Sequence, residues 1–481
     1  MRIALGAVPS GPCPSGVFLT FEQGVLAAVT WEQRQGAHLH LESIVTQSML
    51  MEADVELGAD QSTLSTSGTL TVAGSPPGPP KVRRLDGKFS YWSDRMPSSI
   101  EQAILRARVT GQSSVSVPIA SPYSEYASAV QVEKLDERSW KLTYRDRQYD
   151  VVTDENGCMS AASLSAYGVV IEKRPSFERG AYPLFAPYAA PPGGAYTASD
   201  VSIPAPEGHV LAGTLTVPRR PPAACPAAVL ITGLSPHERN NGTPPWMPFR
   251  DLADALTRAG FCVLRVDDRG VAASTGDRAA STTFDEANDV RTEVAWLRKR
   301  PDIDGTRVFL VGYSEGGLIA PMVAASDPGI AGVITLAGPG VPGPVLARYQ
   351  IEAGVNGDPR VPPLLRKGEV ERQLQEPLTP REKSFLGIDP LQVARGVRCP
   401  ALILQGGTDL TVPPRSAELL AAAMRAGGNV DVTVRLFPGV SHSLLPDPVG
   451  LGSGWVFLPA FLTAPEILST LVQWATGHLH P

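Results

Sequence analysis

Nowhere in this sequence do two cysteines stand in C-x-x-C spacing. The five present (Cys13, Cys158, Cys225, Cys262 and Cys399) are odd in number and widely scattered, which points to neither a zinc site nor a disulfide framework and mildly favours a reducing compartment. Strong charge of one sign is also missing. Against 48 Asp and Glu there are 42 Lys and Arg, the net charge is −6, and no basic stripe runs anywhere, so a nucleic-acid partner is not expected. No apolar run approaches membrane-spanning length, so no membrane partner is expected either. The opening MRIALGAVPSGPCP has one Arg and too few apolar residues before Pro9 for a secretory core, and a cytoplasmic location is the resulting expectation.

What the chain has in quantity is proline and glycine, 46 of each in 481 residues. Proline stands at about twice its usual share, which suits loop-rich connections and stiff linkers. A chain of this length exceeds one typical core, so two domains are expected.

Residues 1–185 read as β-rich. Short, partly alternating runs such as AHLHLESIV and SWKLTYRDRQYDVVT are separated by Gly, Pro, Asp and Asn, the pattern of a sandwich or open barrel. One amphipathic stretch, SSIEQAILRAR from Ser98 to Arg108, interrupts them as a helix. A Pro/Gly-rich linker over 186–199 follows. From 200 to 481 strands alternate with helices, which predicts a mostly parallel, doubly wound sheet covered on both faces. Strands are expected at 227–232, 261–267, 332–336, 401–405 and 430–437, with a short helical insert at about 344–395. A helix over 283–300 is expected to open on a capping box of Thr283 and Glu286.

The stretch RVFLVGYSEGGLIAPMVAA, from Arg307 to Ala325, organises this second part. An apolar β-favouring run leads into Gly312-Tyr313-Ser314-Glu315-Gly316, and Leu318, Ile319, Met322 and Val323 then recur at helical spacing. A G-x-S-x-G between strand and helix can lift a serine hydroxyl above the sheet, and it needs glycines where the backbone crosses itself. A serine is a poor nucleophile without a base, and the base needs a carboxylate to hold its tautomer. Asp409 in LILQGGTDLTVP and His442 in LFPGVSHSLLPD each fall in a loop just beyond a later strand, where loops gather at the carboxyl ends of the strands. Ser314, Asp409 and His442 are therefore the candidate catalytic residues. Two backbone donors for an oxyanion are expected at Leu234 and Glu315. The Glu315 side chain reads instead as a helix-start carboxylate favoured by the dipole.

Other candidates are weaker. His237, Glu238 and Arg239 share the loop of Leu234 and either line a pocket or sit on the surface. His38 and His40 alternate on one strand face without a carboxylate or Cys pattern to complete a metal site. Asp267 and Asp268 with Arg269 read as a loop-fixing ion pair. No cofactor and no metal are expected.

The runs LITGLSPHERN, FRDLADALTRAGFCVLRVDDRGVAASTGD, DVRTEVAWLRKRPDIDGTRVFLVGYSEGGLIAPMVAA and LAGPGVPG resemble the two-domain bacterial carboxylesterases of the α/β-hydrolase superfamily, which carry a β-rich domain before the hydrolase. The resemblance covers residues 200–481 and assigns the triad to Ser314, Asp409 and His442. Tyr313 departs from it where a His is commoner, Ala272 replaces a usual Gly, and the insert is shorter than the family's cap. It implies cleavage of a small-molecule ester through an acyl-enzyme. A thioesterase or acyltransferase would use the same acyl-enzyme, and a non-catalytic binding protein on the same fold would have lost one of the three positions.

Overall fold

The computed structural model describes residues 13–93, 96–121, 124–144, 147–220, 224–358, 360–448, 450 and 461–479. The chain divides into two compact units, Met1–Pro187 with Val456–Leu462, and Tyr188–Trp455 with Thr463–Pro481.

The first unit is a closed barrel of twelve strands, β1 (Gly16–Glu22) through β12 (Val169–Arg174). Each strand pairs with its neighbour in sequence, and β1 pairs with β12 to close the sheet. Closure removes the exposed edges that a sandwich or open barrel would leave. Alternation sets the inside: along β4 (Met49–Leu57) every second residue, Met49, Met51, Ala53, Val55 and Leu57, is buried. Pairing is antiparallel except between β6 (Lys81–Tyr91) and β7 (Ser114–Ser121). A parallel pair cannot be joined by a tight turn, and α1 (Ser98–Thr110) is the crossover. His38 and His40 on β3 (His38–Val45) face β4, where His38 pairs with Asp54 and Glu56 and His40 with Asp54 at 2.8 Å.

The second unit holds an eight-stranded sheet in the order β13-β14-β16-β15-β17-β18-β19-β20. The strands β13 (Tyr196–Pro204) and β14 (Val210–Pro218) form an antiparallel edge. From β16 (Cys262–Val266) through β15 (Cys225–Ile231), β17 (Ile303–Tyr313), β18 (Gly332–Leu336), β19 (Ala401–Gly406) and β20 (Val432–Phe437) the pairing is parallel. All seven residues of β15 are buried because both faces are covered. Ala227, Val229 and Ile231 pack toward α3 (Thr283–Arg298) and α4 (Gly316–Ser326), while Ala228 and Leu230 pack toward α2 (Pro248–Arg258) and α10 (Pro465–Gly477). The insert between β18 and β19 comprises α5 (Gly343–Gly357), α6 (Arg366–Gln373), α7 (Pro380–Gly387) and α8 (Pro390–Ala394). The helix α9 (Ser416–Ala426) follows β19. Among the described residues no helix is long and apolar enough to cross a membrane.

Three expectations are corrected. Disulfides do form: Cys13 bonds Cys158 and Cys225 bonds Cys262, leaving Cys399 free. Sequence separations of 145 and 37 conceal the pairs, but barrel closure and the parallel β15–β16 register bring their Cα atoms to 5.5 and 6.0 Å. The cysteine pattern therefore no longer favours a reducing compartment. The box that opens α3 is one residue earlier, Thr282 with Asp285, because Thr283 turns inward. Asp267, Asp268 and Arg269 do not pair among themselves. Asp267 binds Arg239, Asp268 accepts the His237 amide, and Arg269 binds Asp289 and Glu207.

Candidate active site

Four parallel strands end at one edge of the sheet, and each delivers one part of the site there. The loop after β15 carries Leu234, the turn after β17 carries Ser314, and the loops after β19 and β20 carry Asp409 and His442.

Ser314 has φ +55°, in the left-handed region, which costs a non-glycine residue roughly 1–3 kcal/mol and must be enforced by its surroundings. The flanking glycines show how. A Cβ on Gly312 would stand 1.9 Å from the Gly316 carbonyl oxygen, and one on Gly316 would stand 2.2 Å from that of Ile231. Only glycine lets strand, turn and helix approach so closely. The Ser314 amide donates to Leu336 O at 2.9 Å, which pins the turn to β18.

The hydroxyl that this turn presents meets an imidazole. Ser314 Oγ lies 3.1 Å from His442 Nε2, and His442 Nδ1 lies 2.8 Å from Asp409 Oδ2. With the Nδ1 proton given to Asp409, Nε2 keeps a lone pair directed at the serine. Asp409 is fully buried, and its oxygens are all occupied: Oδ1 accepts the amides of Thr411 and Val412 at 2.8 and 2.7 Å, and Oδ2 also accepts Gln405 Nε2 at 2.8 Å. Gln405, inside β19, had no mark in the sequence beyond being a polar residue in an apolar run. Tyr313 packs its ring against His442 with centroids 5.1 Å apart, so an aromatic plane limits the imidazole's rotation.

Among the described residues, the Leu234 and Glu315 amides donate to no protein acceptor, whereas the neighbouring Gly233 amide is held by Asn241 Oδ1 at 3.2 Å. The side chain of Glu315 differs from expectation. It stands at the start of α4, but its carboxylate is buried, accepting Thr283 Oγ1 at 2.7 Å and the Arg381 guanidinium at 2.8 and 2.9 Å. Burial pushes the titration of this carboxyl upward, with the Thr283 hydroxyl pulling the other way. Within the loop of Leu234 the three candidates part. A Cβ on Gly233 would stand 3.4 Å from Ser314 Cβ and 3.6 Å from His237 Nε2, and burial together with the Arg278 charge pushes the His237 imidazole down to about 4. Glu238 accepts the Tyr188 hydroxyl. Arg239 is buried and forks onto Asp267 at 2.7 and 3.0 Å, anchoring the loop rather than lining it.

The profile of the "Alpha/beta hydrolase family" matches residues 228–451. Esterase EstD of Thermotoga maritima is 24% identical over 246 residues, or 49% of this chain and 58% of that protein. The chain thus spans less than two thirds of that relative's length. A thermostable monoacylglycerol lipase of a Bacillus species is 28% identical over 191 residues, 37% of this chain and 71% of the lipase. Among solved structures, an esterase of Pyrococcus furiosus aligns with a TM-score of 0.43 at 16% identity, covering 59% of this chain and 91% of its own. Est1E of Butyrivibrio proteoclasticus, solved with ferulic acid, aligns with a TM-score of 0.43 at 17% identity over 58% of this chain and all of its own. Residues 228–451 match the α/β-hydrolase profile and carry the α/β-hydrolase fold, in a chain that carries a closed β-barrel ahead of them.

Proposed function

We propose that this protein is a serine hydrolase that cleaves carboxylic esters of small molecules through an acyl-enzyme. One observation carries the reading: the unbroken line of hydrogen bonds from Ser314 Oγ through His442 to a buried, fully satisfied Asp409. Ser314 Oγ attacks the ester carbonyl as His442 Nε2 takes its proton, and Asp409 steadies the imidazolium so formed. The tetrahedral oxyanion is met by the Leu234 and Glu315 amides. Its collapse breaks the C–O bond, and His442 returns the proton to the departing alcohol. Water, deprotonated by His442, then attacks the acyl group, and Ser314 leaves with its proton restored. Relatives named esterase and monoacylglycerol lipase support an ester as the substrate class.

Ser314→Ala should lower kcat on 4-nitrophenyl butyrate by about 10³ or more while leaving thermal melting unchanged, the scale for removing one member of such a relay. A serine-directed fluorophosphonate should label the wild type at Ser314. Unchanged turnover in the variant would sink the assignment of the nucleophile, and an unlabelled wild type would sink the whole reading.

A further inference from the structure

An oxyanion hole works only if its donors are aimed before substrate arrives, and the peptide joining Gly233 to Leu234 supplies one of them. In a trans peptide the carbonyl and the following N–H point in opposite directions, so whatever holds one aims the other. The Gly233 carbonyl accepts Arg381 Nη2 at 3.4 Å. The same guanidinium reaches Glu315 Oε2 through Nε at 2.9 Å and Nη2 at 2.8 Å, and Glu286 through Nη1. One arginine of α7 thus grips the peptide that carries the Leu234 donor and the side chain of the residue that carries the other. Arg278 reinforces it, with Nη1 on Glu286 at 3.0 Å and Nη2 on the Leu234 carbonyl at 2.7 Å. Arg381, Glu315 and Glu286 are 5%, 0% and 7% exposed, so these charges sit out of water and depend on their mutual bonds.

Resting on the ester-hydrolase reading, we infer that Arg381 is a positioning residue for the oxyanion: it draws the Gly233 carbonyl back so that the Leu234 N–H faces the substrate, and it ties that orientation to the seating of the helical insert. The residue type follows from the task. Three acceptors on three segments, Gly233, Glu286 and Glu315, must be met at once, which a planar five-donor fork can do and the point charge of a lysine cannot.

Arg381→Met alone would strand the Glu315 carboxylate in the interior and can unfold the chain. The informative variant is Arg381→Met with Glu315→Gln, which removes both charges and leaves an amide that Thr283 can still reach. On 4-nitrophenyl acetate its kcat should fall by about 10²-fold, the scale of one lost oxyanion donor, with KM changed by less than about threefold. Arg381→Lys, which keeps a charge for Glu315 to pair with, should lose kcat by about 10-fold with KM again held, and it decides the matter if the double variant fails to fold. A buried ion pair that served stability alone would predict recovery in the charge-balanced variant. A kcat within about threefold of wild type in the folded double variant, or in Arg381→Lys should the double variant not fold, overturns the inference while ester hydrolysis stands. A wild type that neither hydrolyses the ester nor takes the fluorophosphonate label overturns the reading beneath it.

Discussion

Tyr349, on the first helix of the insert, donates its hydroxyl to the backbone carbonyl of Asp409 at 2.7 Å. Asp409, the acid of the proposed relay, is therefore braced from two sides, through its carboxylate by β19 and its own loop, and through its carbonyl by the insert. Tyr349→Phe removes only the second brace. A half-buried hydrogen bond of this kind contributes about 1 kcal/mol, so the melting temperature should drop by about 2–4 °C and kcat should fall by no more than about tenfold. Calorimetry beside steady-state kinetics measures both. A variant that matches wild type in both would show that the brace is idle.

His237 gives a pH-dependent prediction. Its imidazole titrates at about 4 in the fold against an ordinary 6.5, because burial disfavours the cation. A depressed folded value means that the stabilising contribution is complete above about 6.5 and drains away as the pH falls toward 4, since the unfolded chain takes up the proton first. Wild type should thus lose more stability than His237→Gln between pH 7 and 5, by on the order of 1–2 kcal/mol in urea unfolding. Parallel losses in the two proteins would contradict a neutral, partly buried His237.

Gly312→Ala tests the turn. The new methyl would meet the Gly316 carbonyl at 1.9 Å, and backbone cannot yield as a side-chain tip can. The elbow must open, at a cost of about 1–3 kcal/mol or more, and Ser314 should lose its fluorophosphonate labelling with it. Retained melting temperature together with retained labelling would show that the close approach is not required.

The elbow was legible because its requirements are local. Strand, crossing and helix fall within Arg307–Ala325, and both glycines are needed there for reasons of contact. The parallel sheet was legible from its alternation of buried strands and helices. Asp409 and His442 were expected from the loop that each occupies after its strand, and the structure joins Asp409 to His442 and His442 to Ser314 by hydrogen bonds. What escaped notice shares one property, that the partners lie far apart in sequence. Barrel closure joins β1 to β12, Cys13 meets Cys158, and Arg381 reaches Glu315 across 66 positions. No periodicity encodes such pairs. Arg269 shows the converse error, since adjacency to Asp267 and Asp268 suggested a pairing, whereas Asp267 binds Arg239, Asp268 accepts the His237 amide and Arg269 binds Asp289.

The clash that reserves positions 312 and 316 for glycine involves only main-chain atoms and would be there whether or not any reaction took place. Ser314 is different, because nothing in the packing of the turn asks for its hydroxyl. In a descendant that had abandoned catalysis, drift would erase the serine first and leave the two glycines under undiminished selection for folding. A spacing of G-x-x-x-G on its own is then a fossil of architecture, and only the central letter bears on the proposed chemistry.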